Sequence, residues 1–317
     1  MTTSPVVESL PQPLTSTSAI KLTDKLVLGT VQLGMSYGIN NSVGQPSTEA
    51  TFEILQAARE AGITMLDTAD AYGNAIERIG AYHQTSFHAP FRIITKFHID
   101  EHDTALEFKA AQTLDNLGVR SLYCYQFHRF QDIAEIAAAP EHFSTIPKKL
   151  VHLKTSGAIE RVGVSVYTNE EFAAAIASEI IDVIQLPFNM LDSMRLRGDL
   201  MQKAVEHGKE LHTRSVFLQG LFFKQISAFP ITLAQLAAPV QRLRAIAHEQ
   251  RLSIAALALG YVLHNPLVSC VLFGVETPTQ LRETLTAIPT SWNAEVSREI
   301  EEIIVEDARL LNPAMWL

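Results

Sequence analysis

The chain has 317 residues, a formal net charge of −9, 47% hydrophobic residues and 19% charged residues. This much apolar material excludes extensive disorder, and the scattered basic residues give no electrostatic footprint for a nucleic acid or an anionic membrane surface. A small molecule is therefore the expected partner.

The first twenty residues lack the basic start and continuous apolar centre of a secretory signal, and they lack the arginines of a transit peptide. We expect a flexible tail over residues 1–20 and one domain over residues 21–317. The sequence has no apolar stretch of about eighteen residues that could span a membrane. Cys124 and Cys270 sit singly in apolar runs, without metal-ligand spacing. These features predict a cytoplasmic protein with reduced cysteines and no metal site, and they leave its oligomeric state open.

Eight short apolar runs of β-forming residues recur along the chain, and a segment with helical spacing follows nearly every one. The runs are LVLGT (26–30), ITMLD (63–67), RIITK (92–96), SLYCYQF (121–127), RVGVS (161–165), IDVIQL (181–186), ELHTRSVF (210–217) and VSCVLF (268–273). Strand-like runs and helical segments alternate eight times, and the composition does not change along the chain in the way that marks a second domain. This pattern predicts an α/β fold, a single (β/α)8 TIM barrel.

Two parts of the sequence are additional to the eight strand–helix units. The interval before the last run contains two helical patterns, at 233–250 and 254–265, which predict extra helices before the eighth strand. An amphipathic segment at 294–311 is expected to pack outside the barrel.

Four ionisable residues lie at or just after the ends of the second, third and fourth runs. Asp67 and Lys96 end their runs, His128 directly follows the fourth, and Tyr72 lies in the loop after the second. Because the carboxyl ends of barrel strands share one face, we expect these side chains to meet there. A tyrosine normally loses its proton near pH 10, so as a proton donor it needs help from a cation such as Lys96, which Asp67 would orient. His128 would polarise a substrate oxygen, and hydride would come from a cofactor.

Several segments carry a resemblance to a known family. LGTVQLG (28–34), GITMLDTADAYGNAIERIG (62–80), IITKF (93–97), QFHRF (126–130), IERVGVSVY (159–167) and VIQLPFN (183–189) resemble successive signatures of the aldo-keto reductases. The resemblance covers about residues 24 to 290. It implies NAD(P)H-dependent reduction of an aldehyde or ketone, with Asp67, Tyr72, Lys96 and His128 as the catalytic set and Tyr72 as the general acid/base.

The resemblance also implies where the dinucleotide binds. Ser165 and Gln185 would hold the nicotinamide carboxamide, although Val166 stands where the family usually has an asparagine. Arg214 or Ser215 stands where many members stack an aromatic ring on the nicotinamide, and Arg214 is favoured because a guanidinium plane can also stack. The adenosine end would lie at the helix start TPTQ (277–280), whose free backbone donors suit a phosphate. The expected cofactor-binding residues are Gly29, Thr30, Asp67, Ser165, Gln185, Arg214, Ser215, Leu218, Gly220, Gly274, Glu276, Thr277, Gln280, Glu283 and Thr284.

The cofactor expected from the resemblance is NADP(H), with a narrow preference over NAD(H). Glu276 opposes a 2′-phosphate, and the one cation in this segment, Arg282, is predicted to turn away from it. Tyr37, His98 and Trp316 are the residues expected to contact the small carbonyl substrate.

Three other hypotheses remain at this stage. A class I aldolase would use Lys96 as a Schiff-base amine, and a regulatory subunit of the same fold would bind nucleotide without catalysis. A metal-dependent hydrolase is disfavoured, because no HxH follows the first run and the ligands offered by KFHIDEHD (96–103) are expected to be solvated.

Overall fold

The computed structural model describes residues 22–99, 105–138 and 145–316, so the predicted tail at 1–20 and most of the ligands that KFHIDEHD offers, at residues 100–103, lie outside it. Eight parallel strands close into a barrel in sequence order, and the last pairs with the first. The predicted fold is confirmed. The strands are β1 Leu26–Gly29, β2 Met65–Asp67, β3 Arg92–Phe97, β4 Leu122–Phe127, β5 Ile159–Ser165, β6 Val183–Pro187, β7 Glu210–Arg214 and β8 Cys270–Gly274.

Helices cover the outside of the barrel. Between β7 and β8 the chain makes short 3₁₀ turns at Leu218–Phe223, Ile226–Ala228 and Ile231–Leu236 before the two helices expected there. The helices are α1 Val31–Gly34, α2 Thr48–Glu60, α3 Ala75–Thr85, α4 Leu106–Leu117, α5 Phe130–Ala138, α6 Thr145–Thr155, α7 Asn169–Ala177, α8 Met194–Glu206, α9 Ala237–Glu249, α10 Ile254–Leu263, α11 Pro278–Thr286 and α12 Ala294–Glu301.

Local chemistry sets several of these helix starts. In α7, Thr168 accepts a hydrogen bond from the Glu171 N–H, and the Glu171 carboxylate accepts one from the Thr168 N–H. This reciprocal capping box satisfies backbone donors that the first helical turn leaves free. Thr277 caps α11 in a similar way, with Pro278 at the first helical position, where a missing N–H costs nothing.

Two elements are shorter than their sequence patterns. The seventh run extends to residue 217, but β7 ends at Arg214 because Ser215 turns to φ 61°, outside the extended region. The amphipathic segment at 294–311 is helical only to Glu301. The β-branched residues of Ile303–Val305, which disfavour a helix, follow it. A separate short 3₁₀ turn then begins at Ala308.

The inside of the barrel changes character along its axis. One end holds an apolar cluster with Val27, Met65, Ile94 and Leu272, whereas buried polar residues such as Asp67 lie at the carboxyl ends of the strands. The larger apolar core fills the space between strands and helices. No helix in the described ranges has the length and apolar content needed to cross a membrane.

Candidate active site

The four ionisable residues singled out above lie together at the carboxyl ends of the strands. Lys96 Nζ is 2.5 Å from Asp67 Oδ1 and 5.2 Å from the centre of the Tyr72 ring. The rings of Tyr72 and His128 meet edge to face, with 6.0 Å between their centres. The Lys96 and Asp67 side chains are almost fully buried, so their ion pair is shielded from bulk water.

Close backbone packing fixes the loop that carries Tyr72. A Cβ on Gly34 would lie 1.7 Å from the Tyr72 carbonyl oxygen, and one on Gly73 would lie 2.2 Å from the Gly34 carbonyl oxygen. Gly73 also has φ +56°, a conformation that favours glycine. The two glycines let α1 contact this loop directly, which sets the position of the phenol.

The surroundings of Tyr72 favour its protonated form. Burial, and next the negative charge of Asp67, raise the pKa of Tyr72 well above its ordinary value, although Arg214 opposes this. Burial lowers the pKa of Lys96, and the Asp67 carboxylate opposes that change. The site therefore keeps Tyr72 as a neutral phenol that can donate its proton, with Lys96 as the nearby cation.

His128 is held as a neutral imidazole. Burial is the largest cause, followed by the charge of Lys96, and together with other cations they lower the pKa of His128 to about 3. Its ring stacks on His98 with 4.6 Å between centres, and His98 Nδ1 lies 3.6 Å from Asp132 Oδ2. A neutral His128 carries one N–H that can donate to an oxygen in front of Tyr72.

A cleft of about 530 Å³ opens above these residues and runs to the start of α11. This volume suits a small-molecule or cofactor site. The predicted site residues that line it are Gly29, Thr30, Tyr37, Asp67, Tyr72, Lys96, His128, Ser165, Gln185, Arg214, Ser215, Gly220, Gly274, Glu276, Gln280, Glu283 and Thr284.

Two glutamines along the cleft have unused acceptors. Gln185 donates from Nε2 to Asp67 Oδ2 at 2.9 Å, while its buried Oε1 has no hydrogen-bond partner among the described residues. Gln32 Oε1 has none there either, and its amide lies against Gly274. A buried acceptor without a donor is costly, so a ligand with N–H or O–H groups would stabilise both positions.

The loop after β7 forms one wall and is strained. Ser215, Leu218 and Gln219 all have positive φ, between 47° and 61°. Such conformations cost on the order of 1–3 kcal/mol each and persist where the surroundings hold them. Asn189 Nδ2 donates to the Ser215 carbonyl, and Gln219 Nε2 donates to the Tyr37 hydroxyl at 2.8 Å. Strain maintained in this way is typical of a ligand-binding loop.

The far end of the cleft is acidic. Gln280 accepts from the Glu276 N–H at 2.7 Å and donates to Glu276 Oε2 at 3.2 Å, so it holds the carboxylate in place. Glu283 lines the same end. Within the described part of the chain, Lys96 and Arg214 are the lysine and arginine side chains that line the cleft, and Arg282 is exposed outside it.

Comparison with known proteins places this geometry in a family. The model of the Aldo/keto reductase family matches residues 25–305. The chain belongs to the aldo/keto reductase family. Its members are oxidoreductases that generally bind NADP(H) or NAD(H) and act on small carbonyl compounds.

Individual relatives are distant in sequence. An uncharacterized oxidoreductase of Schizosaccharomyces pombe is 23% identical over 311 residues, which cover 91% of this chain and 94% of the relative. The glycerol dehydrogenase of Gluconobacter oxydans has a similar structure, with a TM-score of 0.68, 18% identity and coverage of 88% of this chain and 90% of that one. The holo form of a Bacillus halodurans aldo-keto reductase also gives a TM-score of 0.68, at 20% identity and with coverage of 90% and 95%.

Four predicted site residues of this aldo/keto reductase do not line the cleft. His98 lies against His128, and the Trp316 indole N–H donates to the Leu310 carbonyl. Leu218 is fully buried in the core, and the Thr277 hydroxyl accepts from the Gln280 N–H at the start of α11. Each of these four side chains packs against other residues or caps a helix, so it does not face the cleft.

Sequence reasoning also missed several lining residues. Tyr167 lies two residues beyond Ser165, and the Arg214 guanidinium sits 4.1 Å above its ring. Continuing the strand-end search past β5 would have found it. Other missed residues include Gln32 in α1, Gln219 and Phe223 in the 3₁₀ turn Leu218–Phe223, and Gly38, Asn40, Val216 and Phe217 in loops without periodicity.

Proposed function

We propose that this aldo/keto reductase reduces an aldehyde or ketone to an alcohol with hydride from a nicotinamide dinucleotide. The observation that carries the proposal is the meeting of a neutral phenol, a neutral imidazole and a buried lysine–aspartate pair at the catalytic end of one cleft. The direct test is to follow oxidation of NADH and NADPH with a panel of aldehydes. Loss of that activity in Tyr72→Phe would show that it comes from this site.

Tyr72 is the general acid in this proposal. A carbonyl oxygen gains negative charge as hydride adds to its carbon, and it then takes the phenolic proton. The raised pKa of Tyr72 keeps that proton available in neutral solution. Lys96, above the ring, stabilises the phenolate that remains, and Asp67 keeps the lysine charged and oriented.

His128 positions the carbonyl oxygen. Its ring faces Tyr72, so its N–H and the phenol can both donate to one oxygen between them. Tyr37, Tyr167 and Gln219 surround this end of the cleft and can contact the rest of the substrate. The polar hydroxyl and amide groups of this set suit a carbonyl compound that carries further oxygens.

The residues present fit a nicotinamide dinucleotide. When bound, the dinucleotide supplies the hydride that the side chains here lack. The unused Gln185 Oε1 can accept from a carboxamide N–H, and Ser165 lies on the next strand in register with it. The strained loop at Ser215 would cover the middle of the ligand, and the start of α11 would hold the adenosine end.

The charges along the cleft favour NADH over the NADP(H) that the family resemblance suggested. A 2′-phosphate carries nearly two negative charges at neutral pH, and Glu276 and Glu283 line the end where it would bind. A carboxylate there can instead accept hydrogen bonds from the ribose hydroxyls. We infer that NADH binds at least as tightly as NADPH.

Glu276→Arg is expected to shift the ratio of the two dissociation constants toward NADPH by about tenfold or more, because it exchanges a repulsive charge for an attractive one. Titrations at low salt measure the ratio. Arg282→Ala removes an exposed cation of the same segment and is expected to leave the ratio unchanged. Wild-type discrimination of about a thousandfold against NADH would contradict this account of the adenosine end.

The pH profile of reduction tests the state of His128. Because its pKa is lowered to about 3, the imidazole stays neutral above that value. We expect kcat/KM to show no acid limb from His128 above about pH 5, and to decline at alkaline pH as Lys96 loses its charge, because burial lowers the pKa of Lys96. Unfolding measurements over the same range control for stability. An acid limb centred near pH 6.5, the value of a free imidazole, would show that His128 titrates in the enzyme.

A class I aldolase is less well supported. Schiff-base formation needs a neutral amine that can reach the substrate, whereas Lys96 is buried and paired with Asp67. Borohydride treatment in the presence of carbonyl compounds would label Lys96 in an aldolase, and we expect no label.

A further inference from the structure

A second group of chemistry-bearing side chains lies at the opposite end of the barrel. Glu210 begins β7, His212 follows on the same face of that strand, and Cys270 begins β8. His212 and Cys270 are register partners in the two paired strands. These three residues, the basal cluster, are far from the catalytic residues, which lie at the carboxyl ends of their strands.

The donor atoms of the basal cluster are close enough to share one ion. A carboxylate oxygen, an imidazole nitrogen and the Cys270 sulfur all lie within 4.8 Å of one another. His212 Nε2 is 3.3 Å from Glu210 Oε1, and two ligands of a tetrahedral zinc ion are separated by about 3.3 Å. The Cys270 sulfur, which lies within 4.8 Å of the other two donor atoms, would move closer to them to reach the usual zinc–sulfur distance of about 2.3 Å.

The surroundings of the cluster fit a metal site. His212 is fully buried, and its Nδ1 has no hydrogen-bond partner among the described residues. Tyr123 donates to the Glu210 carboxylate, whose oxygens are 2.5 and 2.6 Å from the hydroxyl, and so fixes its orientation. The Glu210 side chain is 27% exposed, which gives an ion and a water ligand access from solvent.

We propose that Glu210, His212 and Cys270 bind a zinc-type divalent ion, with water as the fourth ligand. One sulfur, one nitrogen and one oxygen donor suit Zn²⁺ and its spectroscopic substitute Co²⁺, whereas Mg²⁺ and Ca²⁺ prefer oxygen alone. The ion links the first residues of β7 and β8, so its role is to stabilise the base of the barrel. Binding releases the thiol proton of Cys270 and, from the His212 imidazolium, the proton on the coordinating nitrogen, and it leaves all oxidation states unchanged.

Cobalt titration of chelator-treated, reduced full-length protein tests the proposal. We expect one equivalent of Co²⁺ to produce a thiolate-to-cobalt charge-transfer band in the near ultraviolet, which Zn²⁺ abolishes by displacement. Surface histidines cannot produce this band, because it requires a sulfur ligand.

Two matched variants assign the band to this cluster. Cys270→Ser is expected to lose it, whereas Cys124→Ser, which alters the other buried cysteine, is expected to keep it. Glu210→Gln, at a partly exposed position, is expected to weaken Co²⁺ binding by about tenfold or more. If Cys270→Ser does not fold, this weaker Co²⁺ binding by Glu210→Gln assigns the metal to the basal cluster.

Unfolding of the wild type gives a readout that needs no variant. At a hundredfold excess over its Kd, Zn²⁺ is expected to raise the unfolding midpoint by about 3 °C or more, and Mg²⁺ is expected to leave it unchanged. Absence of the charge-transfer band in wild type, or its survival in a folded Cys270→Ser protein, would overturn the proposal and leave the cluster as a hydrogen-bonded network. None of these readouts depends on reductase activity.

Discussion

Tyr72→Phe is expected to lower the turnover of aldehyde reduction by about a hundredfold or more, which corresponds to roughly 2.7 kcal/mol of transition-state stabilisation. The substitution removes the acidic hydroxyl and keeps the ring that contacts His128 and Lys96. Cofactor affinity is expected to stay within a few fold of wild type, because that hydroxyl acts on the substrate oxygen. Steady-state kinetics and a separate binding titration measure the two effects.

Tyr82→Phe is the matched control for this loss. It removes another phenolic hydroxyl, which donates to Gln56 on the outer helical layer, outside the cleft. We expect it to retain near-normal turnover. Turnover of Tyr72→Phe within a few fold of wild type would show that another group delivers the proton.

Lys96→Met is expected to cause a loss of similar size. Without the ammonium group, the Tyr72 phenolate loses the cation above its ring, and the Asp67 side chain keeps the hydrogen bond from Gln185 that the described residues give it. Leaving a buried carboxylate without its ion pair also destabilises a protein by about 3–5 kcal/mol, so unfolding must be measured beside turnover. The kinetic claim applies at temperatures where the variant is folded.

Lys25→Met is the matched control for Lys96→Met, because it also replaces a lysine by methionine. Lys25 is partly buried and donates to the Leu263 and Asn265 carbonyls at the other end of the barrel, so its loss affects stability without touching the cleft. A folded Lys96→Met protein with normal turnover would remove Lys96 from the mechanism. Borohydride labelling of Lys96 in wild type would instead support the aldolase.

The strands were predictable because each is a short apolar run bounded by polar residues, and the runs reappear as β1 to β8 within about two residues at most ends. Their number and their alternation with helices then left little choice of fold. The end of β7 was not predictable, since the left-handed conformation of Ser215 depends on a distant contact, the hydrogen bond that its carbonyl accepts from Asn189.

The candidate site was predictable where strand position defines it. Asp67 and Ser165 end their strands, Lys96 is the next-to-last residue of β3, and strand ends share one face. The directions of loop side chains follow from tertiary packing, which explains why His98 and Trp316 lie outside the cleft. The basal cluster could not be predicted from the sequence for a similar reason. The pairing register of β7 and β8 places Cys270 beside His212, although the two residues are far apart in the chain.

Calorimetric titration of the protein with NADH and NADPH tests the central claim most directly, because it requires no known substrate. We expect one molecule of NADH to bind per chain with micromolar affinity, and Glu276→Arg to strengthen NADPH binding relative to NADH. Absence of a binding signal for both dinucleotides at about millimolar concentration would contradict a nicotinamide-dependent reductase in this cleft.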